Sequence, residues 1–402
     1  MSTAERNLLS ARAQAVSASA TMALDARAKA LKASGKPVIS FGVGEPDFPT
    51  PEPIKAAANH ALAADATHYT TVNGDPALRQ AIAERTAEVT GVSFSVGQVI
   101  ATSGAKEALY LACQAVCDPG DEVLIPAPFW VTYAEQARLA GATPVQIDTS
   151  SPGWKLSPEV LREHLTPRSK ALMLCTPSNP TGCVYSDAEL AGLARVVGEA
   201  GLVAIVDEIY ARISYVPVGH WLRAAPDLAD QSLIVDGVSK AYAMTGWRLG
   251  WLVGPQPIVQ AAAAIQSHLT SHPSSITQRA ALFALQQDPS VEATVDEMVR
   301  TFRERRDAIV DELSRVEGFD CPTPEGAFYV FPDARGLLNR PLGSNRKVVS
   351  STIELSAYLL DEALVNTVPG EAFGTPGFVR FSYALGMDDL REGIHRIAAA
   401  VR

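Results

Sequence analysis

A lysine and an arginine eight residues apart, in DGVSKAYAMTGWRLG over residues 236 to 250, carry the sharpest chemical signal in the chain. Lys240 follows an apolar run that reads as a strand, a poor place for a solvated ammonium. Burial and the nearby Arg248 lower the pKa of such an amine, which suits it to form a Schiff base with a carbonyl cofactor. Taken singly, a lysine there is a surface loop residue; Ser239 beside it and the small residues around it favour chemistry. A second element, TSGAKEALYL over 102 to 111, ends a strand in a small-residue turn and opens a helix. The turn Ser103, Gly104, Ala105 then offers backbone N–H groups and a helix dipole to an anion. A Ser-Gly turn is also an ordinary cap, but beside Lys240 and Arg248 it supplies a cradle for a phosphorylated carbonyl cofactor. In IVDEIYARI, residues 205 to 213, Asp207 ends an apolar strand and needs a cationic partner, which a protonated ring nitrogen supplies, with Tyr210 in reach of a phenolate on the same ring. In CTPSNPTG, residues 175 to 182, Asn179 either points a donor amide into a crevice or is a plain turn residue.

These elements need a scaffold that brings strand ends together. From Gln98 to Gly254 short β-branched runs alternate with amphipathic helices, the pattern of βαβ units and a mainly parallel sheet. Strands are predicted at 99–102, 122–126, 143–148, 170–175, 202–207, 232–237 and 248–254, and the helix DAELAGLARVVGEAG opens with Asp187 as cap and closes on Gly201. All four chemical elements then sit at carboxyl ends of strands, where open α/β sheets bind ligands. A helix over 11–34 precedes an extended segment, and a long charged helix from about Val291 to Val316 leads into a shorter α+β part with the strands GAFYVF and FVRFSYAL. The expected fold is α/β: a large domain with a mainly parallel sheet between helices, over 48–300, and a smaller α+β domain over 301–402 joined by the segment 1–47. The polar stretch 337–350 is expected to be a mobile loop.

Length and composition bound the answer. A chain of 402 residues is long enough for two or three domains, and 47% apolar with 19% charged residues is an ordinary globular balance. The net charge of −10, with no basic run, argues against nucleic acid as a partner. Five scattered cysteines fit reduced thiols in the cytoplasm rather than a disulfide framework. Cys113 and Cys117 lack the neighbours of a metal site, so no metal is expected. The charged N-terminus does not resemble a secretion signal, and no apolar run reaches membrane-spanning length.

The motifs together resemble the fold-type I pyridoxal-phosphate enzymes of the class I aminotransferase family, most of all its bacterial aspartate aminotransferases. They are GEPDFPTP (44–51), YTTVNGDPALRQAI (69–82), PSNPTG (177–182), DEIY (207–210), SKAYAMTGWRLG (239–250), GAFY (326–329) and PGEAFG with VRFSYA (369–384). The resemblance implies pyridoxal 5'-phosphate held by Lys240 as an aldimine, ping-pong transamination, and Lys240 as proton shuttle. It gives Asp207 to the pyridinium nitrogen, Tyr210 and Asn179 to the phenolic oxygen, and Trp130 to ring stacking. Ser103, Gly104, Ala105, Ser239 and Arg248 go to the phosphate, with Tyr69 reaching the phosphate of a partner subunit in a homodimer. Arg380 is expected to clamp the substrate α-carboxylate, with Gly44 close by, and Lys106 the distal carboxylate of aspartate or glutamate, with Thr21 near it. An arginine in an apolar strand otherwise pairs with a neighbouring Asp. Gly237 stands where many relatives carry a hydroxyl, which removes one phosphate contact.

Lys240, Asp207 and Arg380 do not separate transamination from β-elimination or aminocyclopropane formation on the same scaffold, and prephenate is a further acceptor in this subgroup. A cofactor-sensing regulatory domain would carry a DNA-binding domain ahead of the matched region, where only about 18 residues stand.

Overall fold

The computed structural model describes residues 8–10, 13–14, 20–150 and 153–402, with the backbone alone at 20–23 and 25. Its centre is a seven-stranded sheet in the order Val99–Thr102, Gly250–Val253, Ser232–Gly237, Val203–Asp207, Ser169–Cys175, Glu122–Ala127, Thr143–Asp148. All neighbours pair in parallel except Gly250–Val253, which runs against both of its neighbours. The expected α/β architecture with a mainly parallel sheet is therefore observed, each predicted strand of this sheet appearing within two residues of its expected bounds.

The alternation of side chains explains why these strands read as continuous apolar runs. Val123, Ile125, Ala171, Met173 and Ile205 pack on one face with the helices Ala105–Val116, Thr132–Leu139 and Gln256–Ser267. Leu124, Leu172, Leu174, Ala204 and Val206 pack on the other with the helix Asp187–Ala200. A sheet covered on both sides has no polar face to show. Cys113 and Cys117 belong to the first of these cores as free thiols, and burial pushes the Cys117 thiol up to about 11. The helix Asp187–Ala200 starts one residue earlier than expected in its capping: Ser186, not Asp187, is the cap, in a reciprocal pair with Glu189. Such a box satisfies two orphan N–H groups at once, and Gly201 (φ +66°) closes the other end.

The second unit is built from both chain ends. Tyr329–Val330, Val379–Ser382 and Val368–Pro369 form a small antiparallel sheet, and Ile39–Ser40 pairs in parallel with Val365–Asn366. The extended segment is tied in further by Phe41, whose N–H donates to Asn366 O and whose carbonyl accepts from Ser382 N, both at 2.8 Å. The 26-residue helix Pro289–Ser314 runs unbroken through residue 300 and joins the two units. The stretch expected as a loop contains a short hairpin, Pro341–Leu342 with Lys347–Val348, because Leu342 is buried under it. Of the N-terminal helix expected over 11–34, Ala20–Ala33 is described.

Candidate active site

The carboxyl ends of four parallel strands, together with Gly42–Glu45 and the small antiparallel sheet, enclose a cavity of about 690 Å³. That is the size of a small-molecule site, and Lys240, Asp207, Asn179, Tyr210, Trp130, Ser239 and Arg380 all line it. The structure thus gathers residues spread over 250 positions of sequence.

Lys240 sits in the turn after Ser232–Gly237, its Nζ donating to Gly44 O at 2.5 Å and facing the rings of Tyr210 and Phe328 at 5.9 Å each. Burial, aided by Arg380 and Arg248, pushes its pKa down to about 8 against the opposing pull of Glu45 and Asp207. A fraction of the amine is therefore neutral, and nucleophilic, near physiological pH. Asp207 lies at the end of Val203–Asp207 and is buried. Its carboxylate accepts from two donors of the protein, Tyr133 Oη at 2.8 Å and Ile209 N at 3.1 Å. Burial still raises the carboxyl to about 6, with Tyr133 and Ile209 holding it down from a higher value. Tyr210 shares a 2.8 Å hydrogen bond with Tyr329, and burial keeps its hydroxyl protonated.

Arg380 is buried in the strand Val379–Ser382. It donates to Asn179 Oδ1 at 3.0 Å and to Gly42 O at 2.8 Å, and its cation lies 4.5 Å from the centre of the Tyr329 ring. Its Nε has no partner, and among the described residues no carboxylate acts on it, which removes the neighbouring-Asp alternative. Asn179 accepts from Arg380 with its oxygen and, like Gly44, lines the cavity; the carbonyl bonded to Arg380 is that of Gly42, while Gly44 O accepts from Lys240.

At the other end, Gly104 (φ +92°) turns the chain so that Ala105 starts the helix at the cavity wall; a Cβ at Gly104 would lie 2.5 Å from an Arg248 nitrogen. Arg248 is exposed, donating to Thr245 O at 2.8 Å and to Ser103 O at 3.4 Å. Ser103 itself does not line the cavity, and its N–H is taken by the Glu107 carboxylate. Lys106 projects over Trp130, its Nζ 4.8 Å from the ring centre, and partial desolvation followed by Arg248 lowers its pKa. Gly237 lies away from this cavity against the neighbouring strand, where a Cβ would meet Leu249 O at 2.8 Å. The expected missing phosphate contact is thus a packing requirement between two strands.

Tyr69 is 91% exposed, its ring edge against His272 at 5.5 Å, and does not reach the cavity of its own chain. The Thr21 side chain lies outside the described residues. Tyr133, Tyr329, Gly42 and Glu45 were not singled out in the sequence. Tyr133 stands three residues after Trp130, one helical turn on, and Tyr329 ends the GAFY motif, which are the signals that could have found them. No three His, Cys, Asp or Glu residues cluster as metal ligands among the described residues.

The donor set fits an aromatic aldehyde phosphate. A buried amine of lowered pKa, a buried carboxylate for a ring nitrogen, an indole for stacking and a helix start with an arginine line one cavity, and the unpartnered Arg380 Nε fits a carboxylate. Comparison with known proteins agrees with this chemistry. Residues 36–397 match the family described as Aminotransferase class I and II. An aspartate aminotransferase of Streptomyces avermitilis is 47% identical over 393 residues, 97% of this chain and 95% of that one. An aspartate/prephenate aminotransferase of Nitrosomonas europaea is 42% identical over 97% of this chain and 99% of its own. Among solved structures, the Rhizobium meliloti aspartate aminotransferase superposes with a TM-score of 0.93 at 39% identity, covering 98% of each chain. The Thermus thermophilus aspartate aminotransferase with maleate superposes at 0.91 and 38% identity, over 97% of this chain and 98% of that one. With the family match spanning residues 36–397 and near-complete coverage at this identity, the chain belongs to the class I and II aminotransferases.

Proposed function

We propose that this protein uses pyridoxal 5'-phosphate to move the amino group between aspartate or glutamate and 2-oxo acids, with 2-oxoglutarate and oxaloacetate as acceptors. One observation carries the reading: Arg380 and Lys106 face one cavity as cations on which no carboxylate of the described residues acts. A dicarboxylic substrate supplies an anion to each. The relatives, aspartate aminotransferases among them and one of these solved with maleate, support the same substrate class.

When bound, the cofactor supplies an electron sink for the carbanion at the substrate α-carbon. Lys240 would hold it covalently and, when free, move the proton to and from that carbon. Asp207 would keep the ring nitrogen charged, Tyr210 and Asn179 would bind its phenolic oxygen, and Trp130 would stack on the ring. Ser103, Gly104, Ala105, Ser239 and Arg248 would hold the phosphate, the Ser103 N–H once Glu107 gives it up. Arg380 clamps the α-carboxylate in a fork, beside Gly44, and Lys106 holds the distal one, with Thr21 near it. Tyr69, exposed in its own chain, serves the phosphate of a second copy in a homodimer. The large unit over 48–300 binds the cofactor, and 301–402 with 1–47 forms the small domain. No helix of the described residues is long and apolar enough to cross a membrane; we place the enzyme in the cytoplasm.

A second reading adds prephenate as an acceptor, because relatives such as the Nitrosomonas europaea protein carry that name and prephenate also bears two carboxylates. Turnover measured against a panel of amino donors with 2-oxoglutarate, oxaloacetate and prephenate tests both readings. Preference for aspartate and glutamate is expected. Alanine turned over as well as aspartate, or elimination products instead of an exchanged amino group, would overturn the assignment.

A further inference from the structure

We propose that Tyr133 is a positioning residue for the reaction, acting through Asp207: its hydroxyl fixes one oxygen of the carboxylate and keeps it ionised as the counter-ion of the cofactor ring nitrogen. This deepens the proposed function and rests on Asp207 having that role.

The geometry leaves little freedom. Tyr133 opens the helix Thr132–Leu139, its N–H donating to Trp130 O at 2.9 Å, and its ring is buried edge-on to Trp130 at 5.6 Å. One turn of backbone therefore sets both the stacking indole and the hydroxyl that reaches Asp207 Oδ2 at 2.8 Å. Burial raises the Tyr133 hydroxyl far above its ordinary value, so it remains the donor. Ile209 N occupies Oδ1 at 3.1 Å, so each oxygen accepts one protein hydrogen bond and keeps a lone pair for the ring.

The hydroxyl matters because, beyond Ile209 N, little else favours a charged Asp207. Cys175, its partner on the adjacent strand, is a half-buried thiol that donates to Pro177 O at 3.3 Å. Glu208, next in sequence, is acidic and opposes ionisation. Lys240 favours it weakly. Tyr133 is thus the principal favourable side-chain neighbour, ahead of Lys240.

The test compares two ligands in the stripped and reloaded protein: pyridoxal phosphate and its 1-deaza analogue, which has C–H in place of the ring nitrogen. Tyr133→Phe keeps the ring in its packing and removes only the hydroxyl. Binding of pyridoxal phosphate is expected to weaken about tenfold, the value of one hydrogen bond to a charged group, with its acid limb moved to higher pH. Binding of the deaza analogue is expected to be unchanged. If both ligands weaken equally, or neither does, Tyr133 is only a packing residue and the proposal falls. Asp207→Asn serves as the reference: failing to discriminate the two ligands there would remove the role of Asp207 itself, a different failure.

Discussion

Asp207→Asn should make the cofactor-stripped protein more stable at neutral pH while crippling the loaded enzyme. The carboxyl is 2% exposed and its pKa rises from an ordinary 3.8 to about 6, chiefly by burial. At 1.36 kcal/mol per pKa unit this is a cost of ~3 kcal/mol for ionising it in the fold. The sign follows from linkage: between the two values the folded state binds the extra proton, so stability falls as pH rises from about 4 to about 6, and the full cost stands above that. Asparagine has no charge to bury. With about 2.1 cal/mol/K of unfolding entropy per residue over 402 residues, ~3 kcal/mol is a rise in Tm of about 3 to 4 °C. The assay is thermal unfolding of stripped wild type and variant at pH 8 and near pH 4. The gain should be present at the first and absent at the second. Saturating cofactor should then stabilise the wild type more than the variant, because only an ionised carboxylate pairs with a charged ring. An equal gain at both pH values, or none at pH 8, would show that burial of this charge is not what strains the site.

Lys240→Ala should abolish transamination with the fold intact, and borohydride reduction should fix cofactor to the wild-type chain and not to the variant. Lys106→Ser should raise KM for dicarboxylic substrates far more than for monocarboxylic or aromatic ones; equal weakening of both groups would make Lys106 a phosphate or structural residue. Replacing Arg380 with Lys loses the fork that reaches Asn179 and Gly42, and kcat/KM should fall about a hundredfold, ~2.7 kcal/mol of transition-state binding. Sedimentation should give about twice 42.7 kDa, with cofactor retention weakened in Tyr69→Phe; a fully active monomer would contradict the shared site.

The strands and the residues that end them were legible because each is a local feature, an apolar run closed by Asp207 or by the turn before Lys240. Orientation within the cavity was not, since it depends on partners far away in sequence. Tyr133 and Asp207 stand 74 positions apart, and Asn179 turns its oxygen because of Arg380, 201 positions on. Gly42 and Gly44 alternate along one extended segment, so which carbonyl meets Arg380 is set by how Ile39–Ser40 registers on Val365–Asn366. Gly237 misled for a related reason: only the approach of the strand Gly250–Val253 reveals that it is there to admit a backbone.

The segment around Phe41 also bears on how the chain matures at the ribosome. Its partners, Asn366 and Ser382, are made long after it, and Ser40 precedes Asn366 by 326 positions. At about 5 to 20 residues per second, that is a wait of about 16 to 65 s. Once residue 253 is made, about two-thirds of the way through, the large sheet has all seven strands available, while the segment carrying Gly42 and Gly44 still lacks its strand partner Val365–Asn366. A nascent chain halted before residue 380 would still own Lys240 and Asp207, and could take up cofactor, yet would lack the guanidinium that recognises a substrate.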